Sequence, residues 1–185
     1  MKRTICTFSG RLVDVLNPKP GDIAPKDITQ GLSCTCRFGG HAREFYSVAQ
    51  HSILVARICG HPWGLLHDAA EAYLGDVIRP LKSGLMLSTG HCLETWQSVE
   101  DRLLGVIAER FGVREFPDPD RLREADDRAL ATEIRELFDP LPERLAGELA
   151  RLPEPLPDAI TPWFPGHAEI EYRQALRRAF PEICP

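Results

Sequence analysis

His67 and Asp68 stand side by side in an otherwise apolar stretch, Leu65-Leu66-His67-Asp68-Ala69-Ala70-Glu71, with a second carboxylate four residues after the imidazole. At helical spacing His67 and Glu71 share a face as an i, i+4 pair, and Asp68 lies beside them. Burying such a trio among leucines and alanines is costly unless its charge is compensated, and a divalent cation does that directly. A lone His-Asp dipeptide is more often a hydrogen-bonded core histidine beside a solvated carboxylate. The other residues that can reach the pair therefore decide the reading.

Those residues lie far apart in the chain, so the elements carrying them must be brought together. Ser47-Val48-Ala49-Gln50 fits a capping box, with the Ser47 hydroxyl accepting from the amide of residue 50 and the Gln50 side chain reaching back. A helix is expected from there to about Cys59, closed by Gly60. A second is expected over residues 62–74, with Pro62 in its first turn and Gly75 at its stop. So short a link makes the two antiparallel neighbours and sets His51 opposite His67. A later helix over residues 119–138 carries Leu122, Ala129, Leu130 and Leu137 in a stripe centred on Asp126, with Asp127 about 100° aside. An aspartate in an apolar stripe is either paired or a ligand. Glu133 falls near the same stripe, either behind a ligand or against an arginine. Mixed His and Asp ligation suits zinc, cobalt, manganese or iron better than calcium.

The rest of the chain reads as scaffold. Residues 4–16 suggest a short β-hairpin turning at Ser9-Gly10, residues 17–27 an irregular connection, residues 26–33 a helical turn, and residues 94–111 and 166–179 two further helices between proline-rich segments. With no repeat and no linker, the 185 residues form one mostly α domain, residues 1–185. Hydrophobic residues at 43% and charged residues at 26% are ordinary globular usage. Twenty-two basic against 27 acidic residues, with no basic cluster, argue against a nucleic-acid polymer as partner. Six scattered cysteines read as free thiols in a reducing cytoplasm, and Cys34-x-Cys36 as packed thiols without the second pair a zinc site needs. No apolar run approaches the ~18 residues of a membrane span, so no membrane partner is expected. His41, His61, His91 and His167 have no partner at ligand spacing and are assigned structural or surface roles.

Taken in order, His51, His67-Asp68 and Asp126 resemble the H...HD...D signature of the HD superfamily of metal phosphohydrolases. Cys36-Arg37-Phe38, Tyr46-Ser47-Val48-Ala49-Gln50-His51-Ser52, His67-Asp68-Ala69-Ala70-Glu71 and Gly75-Asp76 are similar to the YfbR-like 5'-deoxynucleotidases and to small phage relatives that hydrolyse deoxynucleoside triphosphates. The resemblance runs from about Arg37 to Glu133. It implies an HD-domain helical bundle with His51, His67, Asp68 and Asp126 as metal ligands. It also implies Glu71 and Asp76 acting on the attacking water and Arg37 on the substrate phosphate. Gln50 stands where many relatives have glutamate, and Phe38 where nucleotidases often have tryptophan, open to base stacking or core packing. Arg43, Arg79 and Lys82 are further candidates to neutralise phosphate oxygens. The expected activity is hydrolysis of the phosphoester next to the sugar of a small-molecule nucleotide, releasing phosphate from a monophosphate or triphosphate from a dNTP, by a cytoplasmic homo-oligomer. A non-catalytic nucleotide-binding module and a cyclic-nucleotide or (p)ppGpp phosphodiesterase are the alternatives.

Overall fold

Proline and short polar side chains open most of the longer helices. The computed structural model describes residues 3–89, 92–138, 140, 141, 143, 147 and 149–184. His91 falls outside the described residues. The chain starts with an antiparallel hairpin, β1 (Thr4–Cys6) and β2 (Leu12–Asp14), in the register Thr4 opposite Asp14. It then forms helix α1 (Pro25–Cys34), on the stretch of residues 26–33 where helical winding was expected, with Pro25 in its first turn.

Helix α2 (Val48–Cys59) is bounded as its sequence dictates: the Ser47 hydroxyl accepts from the Gln50 amide, and Gly60 closes it in the left-handed conformation at φ 63°. The other half of the expected capping box does not form. Gln50 points away, donating from Nε2 to the Thr161 carbonyl at 2.9 Å and accepting from the Trp163 amide at 2.9 Å, so it ties a C-terminal strap to α2.

The expected continuous helix over residues 62–74 is replaced by a tighter winding. A 3₁₀ turn, Pro62–Leu65, runs through turns into the four-residue helix α3 (Glu71–Leu74), with i→i+3 bonds from Leu66 N to Trp63 O, Ala69 N to Leu66 O and Glu71 N to Asp68 O. Contact with α2 supplies the reason. A Cβ on Gly64 would sit 2.5 Å from the Cα of Ala56, so the chain here presses directly on the α2 backbone. With three residues per turn, i and i+3 eclipse, and the partner sharing Glu71's side is Asp68 rather than His67.

Short helix α4 (Arg79–Lys82) and a second hairpin, β3 (Met86–Ser88) with β4 (Leu93–Thr95), follow, neither anticipated from sequence. Helix α5 (Trp96–Arg110) begins at a Thr95 cap, after the hairpin strand that replaces its expected first residues. Helix α6 (Pro119–Leu137) begins at Asp118, whose carboxylate accepts from the amides of Asp120 and Arg121. Helix α7 (Pro165–Ala179) closes the fold.

The main core joins Ile28 and Leu32 of α1, Val48 of α2, Leu103 of α5 and Tyr172 of α7. Between α2 and α6 a smaller cluster of Leu54, Val55, Cys59, Ala125 and Ala129 lets those helices pack closely. No helix among the described residues is long and apolar enough to cross a membrane, and the six cysteines are free thiols.

Candidate metal centre

His51 projects from the second turn of α2 and is fully buried. Its ring lies 5.3 Å from that of His67, centroid to centroid, so the pressed turn and α2 do bring the two imidazoles together. Asp68 Oδ2 is 3.2 Å from His67 Nε2 and 3.5 Å from His51 Nε2. One ligand atom from each of His51, His67 and Asp68 lies within 4.8 Å of the others, a group that could hold a metal ion.

The outward nitrogens are both committed. His67 Nδ1 is 2.8 Å from the Gly64 carbonyl, and His51 Nδ1 is 2.7 Å from Glu133 Oε1. Each Nδ1–H therefore donates, which leaves each Nε2 with its lone pair pointing inward. Both Nε2 atoms are buried, and among the described residues neither has a hydrogen-bond partner. Two orphaned imidazole lone pairs converging on a carboxylate are what a bound cation would satisfy.

Asp126 enters from α6, its Oδ1 3.2 Å from His51 Nε2 and its Oδ2 accepting from Arg79 at 2.8 Å. It adjoins the cluster, as its place on the apolar stripe predicts. Two turns along the same face, Glu133 is fully buried and uses both oxygens, the second accepting from Arg37 Nη2 at 3.0 Å. The same guanidinium has its Nη1 3.7 Å from Asp68.

Burial and close charges set the electrostatics of the cluster. Burial and Arg37 oppose protonation of His51, yet the carboxylates of Glu133 and Asp126 outweigh them and hold its pKa up at about 9. Burial disfavours the charged form of Asp68, but the two histidines and Arg37 pull its pKa well below the carboxylate range. A metal at Nε2 would take the place of the second His51 proton and meet the same negative charge. Glu71 moves the other way: burial and the Asp68 charge push it up to about 8 against the pull of Lys82. Its Oε1 accepts from Lys82 at 3.0 Å, while its Oε2 is buried without a hydrogen bond among the described residues.

Asp68, Glu71, Asp76 and Asp126 line a cleft of about 280 Å³ together with Arg37, Phe38, Arg79 and Lys82. All three cations are held by acids: Arg37 by Glu133 and Asp68, Arg79 by Asp126, and Lys82 by Glu71 and Glu100. Phe38 packs edge-on against Phe138 at 5.1 Å. It is the only non-glycine residue with positive φ among those described, at 59°, in a left-handed run continued by Gly39 and Gly40. Arg37 stands at the head of that run, its amide donating to the Tyr46 carbonyl and its side chain reaching the cluster. Such strain persists where the surroundings fix it, often at functional sites.

Arg43 is not among the residues lining this cleft. It donates from Nη2 to the Glu136 carbonyl and borders a separate cavity with Phe138 and Leu152, so the structure does not bring it into the cleft lining. Of the remaining histidines, His61 caps the 3₁₀ turn by accepting from the Trp63 amide and His167 stacks on Trp163, both structural, while His41 is exposed. Sequence reading passed over Glu100. Yet Trp96, Val99, Leu103 and Ile107 are buried on α5 and Glu100 falls in that stripe, the same signal that marked Asp126.

No family model matches the sequence. The chain is 36% identical over 136 residues, 72% of its length and 71% of the relative's, to the uncharacterized protein YfdR of Escherichia coli. It is also 36% identical over 118 residues, 57% of each chain, to an uncharacterized protein of Rhodobacter capsulatus. By identity and coverage the chain belongs to the family of YfdR.

Proposed function

We propose that this chain is a metal-dependent phosphohydrolase of the HD type that cleaves the phosphomonoester of a nucleoside monophosphate and releases orthophosphate. The observation carrying this reading is the convergence of two Nε2 atoms and Asp68 at a cleft that also holds a Glu71 oxygen and the Arg37 guanidinium, the Nε2 atoms and that oxygen having no hydrogen-bond partner among the described residues. His51, His67, Asp68 and Asp126 would hold a divalent transition metal, with zinc, cobalt, manganese and iron matching the mixed donors. When bound, it would polarise a phosphoryl oxygen and lower the pKa of a water.

The chain's own groups supply the rest. Glu71, beside Asp68 on the cleft wall and with one oxygen unbonded among the described residues, can orient a water and accept its proton. Asp76, on the same cleft wall, is the second carboxylate able to do so. Arg37 offers a planar fork to phosphate oxygens, and Phe38 a flat apolar edge.

Charge and room favour a monophosphate over a triphosphate. Counting Glu133 and Glu100, which pair with Arg37 and Lys82, the cleft's three cations and a divalent ion face six carboxylates, so the site has no positive charge to spare for a polyanion. A phosphomonoester carries about −1.5 to −2 at pH 7. Two further phosphates would need cations beyond the first, and the three cleft cations are already engaged by acids. The volume, about 280 Å³, also lies at the small end of ligand cavities. Free thiols and the lack of a membrane-length helix among the described residues agree with a cytoplasmic setting.

The test offers purified protein a panel of ribo- and deoxynucleoside mono- and triphosphates with manganese, cobalt or zinc, and identifies products by mass. Nucleoside plus orthophosphate from monophosphates is expected. Release of inorganic triphosphate would overturn the substrate assignment, and metal binding without turnover of any nucleotide would make the chain a non-catalytic binding module.

A further inference from the structure

We infer that Glu133 is a positioning residue that fixes the metal-binding imidazole of His51 and the phosphate-side guanidinium of Arg37 through one carboxylate. The inference rests on the functional reading above for what the two groups do, but not for the contact itself. Glu133 is fully buried on α6, at the floor of the site. Its Oε1 lies 2.7 Å from His51 Nδ1 and its Oε2 accepts from Arg37 Nη2 at 3.0 Å, so each oxygen has a separate task.

A buried carboxylate survives only where it is paired, and here the pairing partners are the two groups that a phosphohydrolase must place relative to each other. By accepting from Nδ1–H, Glu133 fixes the tautomer and ring orientation of His51 and directs the Nε2 lone pair toward Asp68. By holding Nη2, it settles Arg37 with Nη1 3.7 Å from Asp68 Oδ2. The guanidinium comes from a strained left-handed loop, and α6 is anchored separately through its small-residue packing on α2. Glu133 is the link between those two parts of the fold, and a loop cation free to swing would lose the orientation that bidentate contact requires. No neighbouring acid among the described residues substitutes for it: Asp68 is engaged with both histidines, and Asp126 with His51 and Arg79.

The experiment uses the full chain stripped of metal, in the wild type, Glu133→Gln, Glu133→Asp and Arg37→Ala. Co²⁺ titration followed by visible absorption reads the His51 side. The arginine side-chain ¹⁵N–¹H spectrum, with the Arg37 Nε–H signal assigned by its absence in Arg37→Ala, reads the other. Glu133→Gln is expected to bind Co²⁺ about 10- to 100-fold more weakly, as for loss of a group supporting a ligand, to change the cobalt spectrum, and to broaden or shift the Arg37 Nε–H signal. Glu133→Asp keeps the charge with a shorter reach, so it should recover part of both effects, and it decides the matter if the Gln variant does not fold by circular dichroism. Cobalt affinity and spectrum matching wild type, or an unmoved Arg37 signal, in a folded variant would overturn the inference. Neither readout needs turnover. A wild-type protein that binds Co²⁺ and hydrolyses no nucleotide would thus sink the functional reading, while these data alone decide the role of Glu133.

Discussion

Asp126 Oδ1 lies 3.2 Å from His51 Nε2, whereas the adjacent carboxylate of Asp127 contacts only the exposed Arg79, at 3.9 Å, among the described residues. One residue of helical phase separates a carboxylate aimed at the cluster from one on its rim. Asp126→Ala is therefore expected to lower metal affinity by at least the ~10- to 100-fold seen when a supporting group is lost, and Asp127→Ala to leave it near wild type. Metal content after dialysis, measured by mass spectrometry, checks this. Retention by the first variant with loss by the second would reverse the assignment.

Glu71→Gln should keep its metal and lose most turnover. The carboxylate sits beside the ligand set and is hydrogen-bonded to Lys82, with one oxygen directed nowhere else among the described residues. Removing a general acid-base group costs about 10²- to 10⁴-fold in rate. Rates near wild type in a metal-loaded variant would transfer the role to Asp76 on the same cleft wall.

The cluster was legible where local periodicity carries the signal. Ser47 and Gly60 bound α2 as their chemistry requires, and the apolar stripe on α6 points Asp126 inward. Contacts set by distant backbone were not legible. Nothing local in residues 62–74 announces that Gly64 must press on Ala56, yet that approach favours the 3₁₀ winding and pairs Glu71 with Asp68. Gln50 likewise satisfies a local capping rule on paper, but a strap more than a hundred residues away offers its amide two backbone partners. The motif singles out Arg37 over Arg43, and the structure agrees in placement, with Arg37 against Asp68 and Glu133 and Arg43 against Glu136.

Two glycine substitutions should diverge in sign. A Cβ at Gly64 would meet Ala56 Cα at 2.5 Å and its nitrogen at 2.8 Å, backbone atoms that cannot swing aside. Gly64→Ala is expected to cost about 1–3 kcal/mol as overpacking does, and to weaken metal binding because the Gly64 carbonyl orients His67. Gly105 on α5 is exposed with nothing within 4 Å, so Gly105→Ala should stabilise the fold by about 0.5–1 kcal/mol. Urea denaturation of both metal-free variants reads the difference. A Gly64→Ala protein as stable as wild type would mean that the pressed turn relaxes freely.

Arg37→Ala should weaken catalysis on a nucleoside monophosphate while fold and metal binding persist, and Arg43→Ala should leave kcat/KM unchanged. Both arginines precede α2 and carry the same charge, so composition alone predicts equal effects. Arg37 is nearly buried, lines the cleft and has its Nη1 beside ligand Asp68, whereas Arg43 is exposed and lies outside the cleft lining. The carboxylates of Asp68 and Asp126 offset much of a bound cation's charge, so an anionic substrate needs a further positive group at this point. Losing such a charge-assisted contact costs about 1.5–3 kcal/mol, roughly one to two powers of ten in kcat/KM. Arg37→Lys keeps the charge but not the fork, and its shorter head cannot both reach Glu133 and grip two phosphate oxygens, so it should recover only part of the loss. The measurement is kcat/KM for the best monophosphate in all four proteins at matched metal occupancy. Equal values for wild type and Arg37→Ala would leave Arg37 a structural partner of Glu133, and transfer phosphate recognition to Arg79 or Lys82, the other two cations of the cleft.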